Sequence, residues 1–154
     1  MKFADLLNPK AVKVVSAASS KKRLMHDIAD VAETAHGIPA QPAVEALMER
    51  ESLGPTGVGH GVALPHARLA DAERVSGVFI LLEKPIEFEA VDRQPVDVIF
   101  ALFAPEDAGV EHLKALALVS RTLRDANFCA KLRANRDPAT LHTIITEAAA
   151  SQAA

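Results

Sequence analysis

Two stretches dominate the hydropathy pattern. Residues 75–82 and 96–103 are apolar on both alternating faces, with few polar breaks. Strands of that kind belong in a sheet covered on its two sides. Residues 12–15 and 62–64 read as shorter strands. Leu24, Ile28, Val31 and Ala35 recur at helical spacing, behind a capping Ser19 or Ser20 and ahead of a terminating Gly37. Pro42 suits a first helical position, and Val44, Leu47 and Met48 carry that helix to about Glu51. Residues 110–124 are apolar most of the way round, which predicts a well-buried helix. Pro105, Glu106 and Asp107 mark its start, the two acids as caps. A short helix follows over 127–134. Asp137 then caps a last one, with Pro138 in its first turn and Leu141, Ile144 and Ile145 facing inward. Helices and strands alternate, so the fold class is α/β, in three layers.

The chain is 154 residues long, which suits one domain, and its Ala-rich end, 148–154, is expected to fray. Hydrophobic residues make up 49%, enough for a sizeable core. With no Trp or Tyr, aliphatic side chains and Phe must build it. The net charge of -3 argues against nucleic acid as the main partner, which usually meets a basic face. The local basic clusters, Lys21 to Arg23 and Arg121 to Arg136, read as solvated helix faces. Cys129 is the only cysteine. It permits no intrachain disulfide, suits a reducing compartment and reads as packing. Asp5, Asn8 and Pro9 interrupt the N-terminal apolar run, so no signal peptide is expected there. No apolar run approaches the roughly 20 residues that span a bilayer. The expectation is a cytoplasmic protein without membrane insertion.

The chemistry concentrates between Arg50 and Ala67. Gly54, Gly57, Gly59 and Gly61 fall within eight residues. Glycine permits positive φ and lets backbone N–H groups approach an anion. The stretch is no Walker loop, since no Gly-Lys-Ser/Thr follows and no helix begins at its end. It precedes a strand, so it is no dinucleotide fingerprint either. It can receive a phosphoryl group, but nothing in it points to ATP, and no cofactor is implied. His66 follows Leu64-Pro65. Pro65 fixes its own φ and holds Leu64 extended, so the imidazole sits on a stiff backbone. Neutral imidazole is a good nucleophile near neutral pH, with an unperturbed pKa of about 6.5. Phosphoryl transfer needs little beyond positioning and charge stabilisation. A histidine that merely hydrogen-bonds within the loop is the alternative.

Glu51, Val58-Gly59, Val62-Ala63-Leu64-Pro65-His66 and Ala67 together resemble the signature of the phosphotransferase IIA domains of the fructose/mannitol type (EIIA type 2). The likeness continues through Gln94-Pro95-Val96-Asp97, the strand end at 100–105 and His112-Leu113, and spans about 3–147. Ser20-Lys21-Lys22-Arg23, Arg50-Glu51 and Thr56-Gly57-Val58-Gly59 resemble the nitrogen-related branch. Pro55 and Ala67 depart from it, where serine and glycine are common. The resemblance implies a mixed five-stranded sheet with helices on both faces. It implies phosphorylation of His66 at Nε2 by an HPr-like phosphocarrier protein, with regulatory target proteins as partners. Two other functions stay open: a sugar-transport IIA that hands phosphate to a IIB domain, and a non-catalytic binding module.

Three neighbours carry two readings each. His112 falls in the first turn of its helix, on the side of Ala115, Leu116 and Val119. It is either a half-buried histidine at a helix N-terminus or, as the resemblance implies, a group that orients the phosphoryl on His66. Arg50 either complements a helix C-terminus or grips phosphoryl oxygens in a bidentate way. Thr56 either donates its hydroxyl to the same oxygens or closes a turn. Gly57, Gly59 and Gly61 complete the expected phosphoryl-binding loop. His60 and His66 lack the further ligands that a metal site requires.

Overall fold

The computed structural model describes residues 1–153, with side chains described through Ala148. In chain order the elements are α1 (Phe3–Leu6), a 3₁₀ turn (Pro9–Ala11), β1 (Val12–Val15), α2 (Lys21–His36) and α3 (Ala40–Ser52). Then come β2 (Gly57–Gly59), β3 (Val62–Ala63), β4 (His66–Leu69), β5 (Ser76–Ile86) and β6 (Val96–Pro105). The chain closes with α4 (Val110–Leu123), α5 (Ala126–Arg133) and α6 (Pro138–Ala153). The expected frayed end is helical backbone to Ala153, and Ala154 lies outside the described residues.

The sheet is mixed. β5 and β6 form its antiparallel centre, with β1 parallel to β5 on one side. β3 and β4 both run parallel to β6 on the other side, and β2 adds antiparallel to β3. Among the described residues the sheet has six strands where the resemblance implied five. The difference has a local cause. β3 and β4 are successive pieces of one rank beside β6, separated by Leu64-Pro65. Pro65 has no N–H for the ladder, yet its carbonyl still accepts from Leu102 N at 2.9 Å.

The doubly apolar pattern of the central strands is explained by the two cores. Phe79, Leu81, Val98, Phe100 and Leu102 pack with residues of α1 and α4 to α6. Their alternates Val78, Ile80, Leu82, Ile99, Ala101 and Phe103 pack against α2 and α3. This is the three-layer α/β/α arrangement, with side chains alternating across each strand. Phe100 centres the first core, 5.5 Å from the Phe3 ring and 6.3 Å from Phe79. Cys129 is buried there and its Sγ meets the Leu123 carbonyl, consistent with packing.

The helix punctuation is partly as expected. The Ser20 side chain accepts from Arg23 N, Gly37 ends α2 in a left-handed conformation, and Asp137 accepts from Thr140 N. Pro42 is the third residue of α3, since the helix begins at Ala40 behind Pro39. Glu106 and Asp107 do not cap α4: the residue before it is Gly109, with no side-chain cap. Nor is α4 buried all round. His112, Ala115, Leu118, Val119, Thr122 and Leu123 face inward, whereas Val110 and Leu113 are exposed. The helix lies on one outer layer, so only one stripe can meet the sheet. Among the described residues no helix is long and apolar enough to cross a membrane.

Candidate functional site

The break at Leu64-Pro65 starts β4 at His66. Ala67 and Leu69 sink into the α2–α3 core, so strand alternation turns His66 and Arg68 toward α4. β4 is paired with β6 and runs between the C-terminal part of α3 and the start of α4. A cleft of about 430 Å³ opens there, and Arg50, Leu53, His66, Arg68, His112 and Leu113 are among its lining residues.

His66 is half-buried, and its Nδ1 lies 2.8 Å from the Leu64 carbonyl oxygen. A carbonyl can only accept, so Nδ1 carries the proton and Nε2 keeps the lone pair. The proline turn therefore selects the tautomer as well as the ring position. Burial, foremost, pushes the His66 pKa below its ordinary value. The bond to Leu64 opposes this, and the nearby Arg50 cation adds to the lowering. The ring is neutral, and so nucleophilic, at neutral pH.

His112 meets His66 edge to face, with ring centroids 5.7 Å apart. It is 5% exposed, and its Nε2 is buried with no hydrogen-bond partner among the described residues. An orphaned buried nitrogen is uncommon, and here it belongs to a ring lining the cleft. Burial holds the His112 pKa down, with smaller contributions from His66 and Arg68. Arg50 stands in the last turn of α3 and donates from Nη1 to the Gly54 carbonyl at 3.0 Å. These three expected residues converge on one cleft.

The others do not. The Thr56 hydroxyl and amide both bind the Glu51 carboxylate, the amide at 2.8 Å. Lys21 closes the cluster, with Nζ 3.2 Å from Glu51 and above the Phe88 ring. Thr56 thus closes the loop onto α3, and Lys21 is no solvated surface cation. The glycine stretch is not an open cradle. Gly57 and Gly59 belong to a hairpin strand, and the Gly57 carbonyl accepts from Val91 N at 3.2 Å. A Cβ on Gly57 would lie 2.6 Å from Ala90 Cβ, and one on Gly61 would lie 2.5 Å from Arg133 Nη2. These glycines admit close packing by the 90–97 segment and α5; none lines the His66 cleft. His60, at the hairpin tip, donates its amide to Asp92 at 2.9 Å.

Sequence reasoning missed Arg68. It lies two residues past His66, and only recognition of β4 as a strand would have set both on one face.

The family profile described as "Phosphoenolpyruvate-dependent sugar phosphotransferase system, EIIA 2" matches residues 5–148. The nitrogen regulatory protein of Bradyrhizobium diazoefficiens is 43% identical over 145 residues, covering 94% of this chain and 95% of that one. That of Escherichia coli (strain K12) is 40% identical over 148 residues, covering 96% and 91%. Among solved structures, nitrogen regulatory protein IIA-Ntr from Neisseria meningitidis superposes with a TM-score of 0.84 at 32% identity, covering 92% of this chain and 97% of that one. IIA mannitol from Escherichia coli shares the fold, with a TM-score of 0.76 at 17% identity, covering 90% and 98%.

Proposed function

The chain belongs to the EIIA 2 family of the phosphoenolpyruvate-dependent sugar phosphotransferase system, and from that premise we propose that it is a phosphoryl carrier of the regulatory, nitrogen-related kind. His66 accepts the phosphoryl group from an HPr-like phosphocarrier in the cytoplasm, and the phosphorylation state then governs binding to target proteins.

One observation carries the reading: Nδ1 of His66 is tied to the Leu64 carbonyl, so Nε2 is left as the nucleophile in a cleft that holds Arg50 and His112. In the transfer, the Nε2 lone pair forms the new N–P bond as the donor's P–N bond breaks. The bonding pair returns to the donor nitrogen. The proton stays on Nδ1, donated to the Leu64 carbonyl oxygen, which stabilises the positive charge that the ring acquires. Arg50 faces the phosphoryl oxygens as a charged donor. A protonated His112 Nε2 gives a further donor that the protein leaves unused. The exposed Leu53 and Leu113 on the rim, 82% and 64% accessible, offer apolar contact to the donor.

The test is incubation with phosphoenolpyruvate, an enzyme I and the phosphocarrier, followed by assay for an acid-labile adduct. The expected result is one phosphate on the wild-type chain and none on His66→Ala. Label on His66→Ala would overturn the assignment. Efficient transfer from His66 to a sugar-specific IIB domain would overturn the regulatory choice in favour of transport.

A further inference from the structure

The His66 cleft contains a second guanidinium that the carrier reading leaves idle. Arg68 shares a strand face with His66, and two residues along a strand cover about 6.6 Å. An extended arginine side chain bridges that span with ease. Its recorded hydrogen bond runs from Nη1 to the backbone carbonyl of Glu106, at 3.2 Å. The ion pairs among the described residues do not include Arg68, although the chain as a whole is acidic. An unpaired cation beside two neutral histidines, held by one exposed neutral acceptor, is poised for an anion.

We propose that phosphorylation of His66 draws the Arg68 guanidinium from the Glu106 carbonyl onto the phosphoryl oxygens, releasing the turn ahead of α4. Arg68 is then the residue that reports the phosphoryl group to the surface. The inference rests on His66 being the acceptor. Its logic is a competition. A hydrogen bond to a dianionic phosphoryl is charge-assisted and about twice as strong as one to a neutral carbonyl, and the guanidinium fork fits two of its oxygens. The ligand therefore binds one arrangement of Arg68 better than the other, which is the condition for shifting a population.

The turn that loses its tie is lightly held. Ala108 N bonds to the Pro105 carbonyl at 3.1 Å, Gly109 has φ +54°, and α4 has no side-chain cap. Glu106 and Asp107 are exposed on it. Once Arg68 has left, the turn loses its tie to the guanidinium, and the acidic turn takes a different presentation to partners. The step moves no covalent bond; one donor exchanges one acceptor for another.

Amide and arginine Nε–H NMR spectra of the full chain, before and after phosphorylation, test this, with intact mass verifying phosphate on His66. The expected result is a shifted Arg68 Nε–H signal together with shifts at the amides of residues 107–110. Arg68→Gln should still accept phosphate, with those amides at a single position in both states. Its phosphohistidine should hydrolyse several-fold faster, and Arg68→Lys should recover part of that lifetime. Phosphorylated wild-type chain with unmoved Arg68 and turn signals would overturn the inference while leaving the carrier reading intact, as would an identical turn shift in Arg68→Gln. Absence of phosphate on His66 would overturn the carrier reading, and this inference with it.

Discussion

The imidazoles of His66 and His112 meet at an interplanar angle of 69°, with centroids 5.7 Å apart. The His66 ring is oriented by the Leu64 carbonyl; Nε2 of His112 has no hydrogen-bond partner among the described residues. One ring is thus fully directed, while the other keeps a vacant hydrogen-bonding position. That asymmetry is what the proposed roles, His66 as nucleophile and His112 as orienting group, require.

His112→Ala should slow phosphoryl uptake by roughly a hundredfold, the scale for loss of one preorganised donor. Single-turnover phosphorylation by the phosphocarrier measures it. Circular dichroism should show a folded chain, because the substitution removes a polar group that packing leaves unsatisfied. Uptake at the wild-type rate would remove His112 from the site.

Glu51→Ala should destabilise the fold by about 2–4 kcal/mol, the range for breaking a buried charged network. The carboxylate is only 6% exposed and holds the Thr56 amide, the Thr56 hydroxyl and Lys21. Urea unfolding reads the loss. Because Glu51 follows Arg50 at the end of α3, the folded fraction should also accept phosphate more slowly. A variant of wild-type stability would show that the cluster contributes nothing.

Gly57→Ala should cost about 1–3 kcal/mol through overpacking against Ala90, where a new Cβ meets Ala90 Cα at 2.8 Å. The folded fraction should be phosphorylated normally, since Gly57 does not line the His66 cleft. Thermal melts and uptake kinetics together check this. A stable variant that no longer accepts phosphate would restore the glycine stretch as a phosphoryl cradle.

Acid should weaken the fold from about pH 6.5 downward, near the unperturbed histidine value. Burial lowers the pKa of His36, His66 and His112 alike. Between the lowered folded values and the unfolded one, the unfolded chain binds more protons. Stability is therefore complete above the unfolded value and is lost as pH falls toward the folded ones. The same lowering keeps His66 neutral, so uptake should persist below the pH at which free imidazole is half protonated. Urea midpoints across pH 5 to 8 measure the first effect. A flat profile in which His36→Gln, His66→Gln and His112→Gln change nothing would count against it.

The sequence was most legible where one residue type repeats without regard to distant partners. The central strands were readable because Val78 to Leu82 and Val98 to Phe103 are apolar on both faces, and two cores demand that. The stiff setting of His66 was readable from the proline before it, and the structure places that ring in the cleft. What escaped depends on pairing across long separations. β4 has no strand signal of its own in His-Ala-Arg-Leu; it is a strand because β6 lies alongside it. With β4 unseen, Arg68 stayed anonymous. The glycines misled for a related reason: their small size serves Ala90, Asp97 and Arg133, residues too distant in the chain for local reasoning to connect.

The split between β3 and β4 has a consequence for solubility. Among the described residues β4 pairs with β6 alone, so its outer edge has no strand partner. A long, unbroken edge would be a template for another chain. Pro65 divides this rank into segments of two and four residues, and the charged Arg68 stands on the second. The proline that sets the His66 tautomer thus also shortens the segment that another chain could extend. Pro65→Val should show both losses together: weaker phosphoryl uptake and a rising light-scattering signal on concentration.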